Sequence, residues 1–98
     1  MKRIRFQAEY MAPPLFDPDP ITMGHIEIAS LKLSEKLTAA IVEWDYEYQN
    51  TFNENYPPDS GFSTTGQLLQ HNLRGAELAS LIKKELGNDF IVDFYVVT

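Results

Sequence analysis

The residues that could do chemistry in this sequence are few, and their spacing argues against most reactions. There are two histidines, His25 and His71, and no cysteine. Without cysteine there is no disulfide, no thiolate zinc site and no thiol nucleophile. Neither histidine stands at a metal-ligand spacing. The run Gln70-His71-Asn72 lacks the second histidine one helical turn away that a zincin requires. His71 reads as a helix-surface or capping residue in preference to a catalytic base. Gly61 and Gly66 are isolated, so no glycine-rich loop cradles a phosphate. Ser60-Gly61-Phe62 is not a nucleophile elbow, because the leading glycine of that motif is missing and no strand enters it. Carboxylates are plentiful and a pair of them could move protons, but acid count alone is no signal, since most such residues are solvated. The expectation is no catalytic residue, no cofactor and no metal, hence no enzyme.

The placement of charge says more. Against 14 acidic residues stand 8 basic ones, for a net charge of -6. Phosphate binding needs a cationic surface, so direct binding to nucleic acid or to an anionic membrane is not expected. From Leu37 to Leu73 there is no lysine or arginine, while Glu43, Asp45, Glu47, Glu54 and Asp59 fall inside the same span. On a helix, Glu43, Tyr46, Glu47, Asn50 and Glu54 share a narrow stripe turned away from the apolar one. Glu43 and Glu47 are a like-charge pair one turn apart, which costs a few tenths of a kcal/mol. Glu47 and Glu54 sit towards the carboxyl end, where the helix dipole disfavours anions. Two local rules are broken in one place. A solvated face that keeps the protein in solution accounts for this, and so does a docking surface for a basic partner. Tyr46 and Tyr56 favour the second account, because amphipathic aromatics among polar residues are common binding anchors. The candidate partner-binding residues are Glu43, Tyr46, Glu47, Asn50, Glu54 and Asp59.

These side chains must be carried by a small frame. At 98 residues the chain has room for a single domain, 1–98. With 44% apolar and 12% aromatic residues it can fold around a thin core. Residues 3–10 alternate, with Ile4, Phe6, Ala8 and Tyr10 on one side: a strand that Pro13 and Pro14 should end. Residues 11–24, with four prolines, read as a long loop. Residues 25–29 are open between a short edge strand and a turn. Ser34 is a good N-cap for a helix that should run to about Phe52, burying Leu37, Ile41, Trp44, Tyr48 and Phe52. Trp44 and Tyr48 are therefore core residues before they are a ligand box. Ser63 or Thr64 can cap a second helix reaching about Leu86, with two apolar rows, Leu69/Leu73/Ala76 and Leu78/Ile82/Leu86. Gly75 in its middle costs about 1 kcal/mol relative to alanine, which close approach of the other helix, at Trp44, would explain. Gly87 suits a left-handed cap.

Residues 90–97 read as a strand with Phe90, Val92, Phe94 and Val96 on one face and Ile91, Asp93, Tyr95 and Val97 on the other. Both faces are largely apolar, so it should be a central strand or have its outer face covered by a partner. The expected fold is α+β: two helices on one face of a two- or three-stranded sheet formed by the amino- and carboxy-terminal strands. No signal peptide and no apolar run of membrane length is seen, which predicts a cytoplasmic protein.

Trp44, Tyr48-Gln49, Ser60-Gly61-Phe62, Gly75, Leu78, Glu85-Leu86 and the aromatic strand through Val92 together resemble the small acidic immunity proteins of bacterial polymorphic toxin systems, including contact-dependent growth inhibition. The resemblance spans residues 34–95 and implies an inhibitor that binds one cognate toxin domain, commonly a basic nuclease. It assigns no residue to the interface. The acidic stripe fits that role independently, because carboxylates can mimic phosphates and speed association with a cationic site. A different class of function is a regulatory or adaptor module that homodimerises, or pairs with another sheet, through its carboxy-terminal strand, burying Ile91, Tyr95 and Val97.

Overall fold

The computed structural model describes residues 1–98. In chain order it holds strand β1 (Lys2–Gln7), β2 (Leu15–Asp17), β3 (Gly24–His25), helix α1 (Glu35–Gln49), helix α2 (Thr65–Leu86) and strand β4 (Phe90–Tyr95). Single 3-10 turns occupy Ile28–Leu31 and Pro57–Asp59. The strands form one mixed sheet in the order β3-β2-β1-β4, with β1 and β4 parallel and the other neighbours antiparallel. The terminal strands pair as expected, with Ile4 opposite Val92 and Phe6 opposite Phe94.

The sheet has four strands where two or three were expected. The proline-rich stretch carries β2, because a proline removes a donor but keeps its acceptor: Gln7 N–H donates to the Pro14 carbonyl at 2.9 Å. Of residues 25–29 only His25 joins the ladder, opposite Phe16. Asp17 anchors this margin, accepting from Lys2 Nζ at 2.8 Å and from the Thr22 hydroxyl at 2.6 Å. Those bonds and one from the Asp19 backbone N–H hold its pKa down at about 2.

β1, not β4, is the central strand. β4 lies at an edge, and its apolar outer face is met from within the chain. The Arg5 guanidinium lies 4.9 Å from the Tyr95 ring centroid and 5.2 Å from that of Phe16, so its stem and cation cover both rings. Phe90, Val92 and Phe94 pack inward as expected. Past the strand the alternation slips: Val97 packs on the core while Val96 is exposed. Asn72 causes this by bonding both backbone groups of Val97, at 2.9 Å each.

Both helices contribute to one core with β1. Ile4, Phe6, Leu15, Leu37, Ile41, Trp44, Leu78 and Ile82 are fully or almost fully buried in it. Ser34 caps α1, accepting from Leu37 N–H, and Thr64 caps α2, accepting from Gln67 N–H. The Ser34 N–H and hydroxyl donate to the Glu85 carboxylate, tying the start of α1 to the end of α2, so the helices run antiparallel. α1 stops at Gln49, short of Phe52. Its last turn tightens as Thr51 and Phe52 N–H donate to the carbonyls of Tyr48 and Gln49. Phe52 leaves the helix and meets Tyr10 edge-on at 5.1 Å. On α2 only the Leu78/Ile82/Leu86 row is covered, and Leu69, Leu73 and Ala76 face water. The reason is that β4 and α1 touch α2 along one stripe, centred on Gly75. A Cβ there would stand 2.5 Å from Phe94 Cζ and 2.8 Å from Trp44 Cζ2, so the close approach expected at Trp44 exists and β4 shares it.

Candidate partner-binding surface

The antiparallel helices and parallel β1/β4 pair leave both signs of charge at one end, where Glu35, Glu85 and Asp89 accompany four lysines. Lys2, Lys36, Lys83 and Lys84 lie where β1, α1 and β4 begin and α2 finishes. Lys83 is spent on the chain itself, donating to the carbonyls of Gly87 and Phe90. The opposite end, where α1 stops and α2 starts, carries Glu47, Glu54 and Asp59. The basic side chain that shares the groove with Glu47, Arg74, is paired with Glu77 at 2.8 Å. No cationic group lies within 4.0 Å of the carboxylates of Glu43, Glu47, Glu54 or Asp59.

The six candidates do not form one stripe. Glu43, Tyr46, Glu47 and Asn50 are exposed on α1 and its carboxyl cap, as the helical spacing predicts. Because α1 stops early, Glu54 is not on the helix. It borders a shallow depression with Asn50, Gln49, Phe52 and Met11. Asp59 ends the 3-10 turn of the following loop and is exposed. That loop is held by its own polar groups: Asn53 Oδ1 accepts from Asn55 and Tyr56 N–H, and Gly61 N–H donates to the Thr51 carbonyl.

Glu47 and Asn50 border an open groove of about 970 Å³ between the end of α1 and the start of α2. Gln67, Gln70, His71 and Arg74 line its other side, and Phe62 is its one apolar lining residue. The sequence span free of cations thus meets Arg74 in space, where the tertiary fold returns it alongside Glu47. Beneath the groove lies an aromatic layer. Trp44 and His71 stack at 4.4 Å, Tyr48 lies 5.7 Å and Phe62 4.8 Å from the His71 ring. The Trp44 Nε1–H donates to the His71 carbonyl at 2.9 Å. His71 is therefore neither a surface nor a capping residue, but a buried one. Its two ring nitrogens have no hydrogen-bond partner, and burial pushes its pKa down to about 4. The carboxylate that an acid/base reading would place on it is not bonded to it. Trp44 and Tyr48 are core residues as expected, and burial, with Tyr10 stacked at 4.3 Å, pushes the Tyr48 hydroxyl up to about 12.

His71 is buried, against the expectation of a surface or capping residue. It falls on the same face as Gly75, Leu78 and Ile82, and that shared spacing was the available signal. No group of three or more histidine, aspartate or glutamate side chains is placed to hold a metal ion, and no helix is long and apolar enough to cross a membrane.

A family model, described as Serratia CdiI immunity protein-like, matches residues 2–96. The chain belongs to that family. A comparison with curated proteins finds no match. The family is one of immunity proteins of contact-dependent growth inhibition, and the match extends the resemblance seen over residues 34–95 to β1, β2 and β3. Membership speaks for the whole fold and names no interface residue.

Proposed function

We propose that this member of the CdiI immunity family neutralises a cognate toxin domain by stoichiometric binding, without catalysis, through the acidic end of the molecule. The toxin is a basic, nuclease-type domain, and Glu43, Tyr46, Glu47, Asn50, Glu54 and Asp59 meet it. The observation that carries this reading is the set of four exposed carboxylates left without an internal cation, while the neighbouring Arg74 is paired with Glu77. Such a surface raises the local concentration of a cationic partner and speeds its encounter. It works from the cytoplasm of the cell that makes the toxin. The test is binding to the carboxy-terminal domain of the exoprotein encoded in the neighbouring reading frame. The double substitution Glu43→Lys with Glu47→Lys should abolish that binding with the circular dichroism spectrum unchanged. Equal affinity for wild type and variant at low and at high salt would overturn the interface.

A second reading, a module that homodimerises through its last strand, is supported by the free edge of β4. Tyr95 and Val96 are exposed there, and Leu69 and Leu73, also exposed, flank the Asn72 that binds Val97. Val97 itself is turned inward, so a dimer would bury Tyr95 and Val96. Sedimentation decides it: a concentration-independent monomer excludes this reading.

A further inference from the structure

One buried group has no role in binding by surface carboxylates alone. His71 is 4% exposed, lines the groove between α1 and α2, and leaves both ring nitrogens unpaired. A buried polar group without a partner costs stability. A phenyl ring could keep the stack on Trp44, 4.4 Å away and inclined by 9°, without that loss. Burial keeps the imidazole neutral near pH 7, so one ring nitrogen offers an N–H and the other a lone pair. On the rim above, Glu47 has no cation within ion-pair distance, whereas Arg74 is satisfied by Glu77 at 2.8 Å. An unpaired carboxylate and an unpaired acceptor lining one groove call for a group with positive charge and several N–H donors spread in a plane. A guanidinium meets both requirements, where an ammonium is a point charge with a larger hydration penalty.

We propose that this groove is a socket for an arginine side chain of the partner, its guanidinium paired with Glu47 and donating a hydrogen bond to a ring nitrogen of His71. The proposal rests on the immunity reading and names the chemistry that the reading's surface recognises. Phe62, whose ring lies 4.8 Å from that of His71 in the same groove, offers a face on which the guanidinium can stack. Asn50 and Gln70 on the rim offer amide oxygens to the remaining N–H groups.

The test has two arms. In the first, N-acetyl-arginine amide is titrated into isotope-labelled protein while the ring nitrogens of His71 are followed by NMR, with N-acetyl-glutamine amide as control. A saturable shift of the His71 signals with the arginine compound alone, weakened at least about tenfold in Glu47→Gln, is expected for loss of one charge-assisted pair. No saturable shift, or the same shift in Glu47→Gln, overturns the socket. In the second arm the neighbouring toxin domain is the probe. His71→Phe and Glu47→Gln should each weaken its binding by at least about tenfold. Glu47 is exposed, so its variant reports even if His71→Phe folds poorly. Wild-type affinity in both variants overturns the socket and leaves the immunity reading standing. A toxin domain that ignores the wild-type chain overturns the immunity reading, and with it the toxin as the source of the arginine.

Discussion

Gly75 shows how one residue sets the spacing of three elements. It lies where α2, α1 and β4 converge, with the Trp44 and Phe94 rings occupying the volume a Cβ would need. In Gly75→Ala the helix gains about 1 kcal/mol of propensity, but overpacking a filled core costs more, and a net loss of about 1–2 kcal/mol is expected. Urea unfolding measures it; a variant as stable as wild type would mean that Phe94 yields freely. His71 governs the response to acid. Its folded pKa of about 4 lies below the ordinary 6.5, so between those values the unfolded chain takes up the extra proton. Stability should be full above pH 6.5 and fall as pH drops towards 4. Asp17 acts in a lower window: its pKa of about 2, against 3.8, gives stability that is lost between those values. The urea midpoint of wild type should therefore decline between pH 6.5 and 4, and that of His71→Phe should stay flatter across this interval. Parallel curves would remove His71 as the cause.

Elements here begin and end by identifiable local chemistry. Ser34 caps α1 and, through Glu85, holds it to the last turn of α2. Ser34→Ala should lower stability by about 1–2 kcal/mol, the upper end reflecting both the lost cap and the loss of one of the two bonds to Glu85, the backbone N–H bond remaining. Thermal or urea unfolding reads the change, and a loss confined to a few tenths would show that the hydroxyl contributes little either as cap or to Glu85. Period-two alternation located β1 and β4, and caps located both helix starts. β2 left no such trace, because three residues are too short for a pattern and its neighbouring prolines advertise a loop. The end of α1 was misplaced by one turn because Phe52 continues the apolar spacing, and nothing in that spacing reveals its preference for Tyr10. Glu54 was lost from the helical stripe for the same reason.

Across the whole molecule, α2 separates Glu47, Glu54 and Asp59 from the lysines at its carboxyl end. Its 22 residues span about 33 Å, several times the Debye length of roughly 8 Å at physiological salt. The field of Glu47, Glu54 and Asp59 is therefore not cancelled by the lysines at the other end. Association with the toxin domain should slow steeply as salt rises while dissociation changes little, by stopped-flow mixing. An association rate indifferent to salt would remove the carboxylates from the encounter.

The order and type of the main elements, the buried faces of Trp44 and Ile82, and the lack of cations from Leu37 to Leu73 are all written in local periodicity and composition. These are properties of residues near one another in the chain, and each is paid for locally. The four-stranded sheet, the return of Arg74 beside Glu47 and the burial of His71 against Phe62 depend on contacts between distant segments. No local pattern encodes such contacts. They follow from how antiparallel helices, one edge strand and a glycine-sized gap are packed together, and it is that packing which turns an acidic sequence into a groove with an unpaired imidazole at its base.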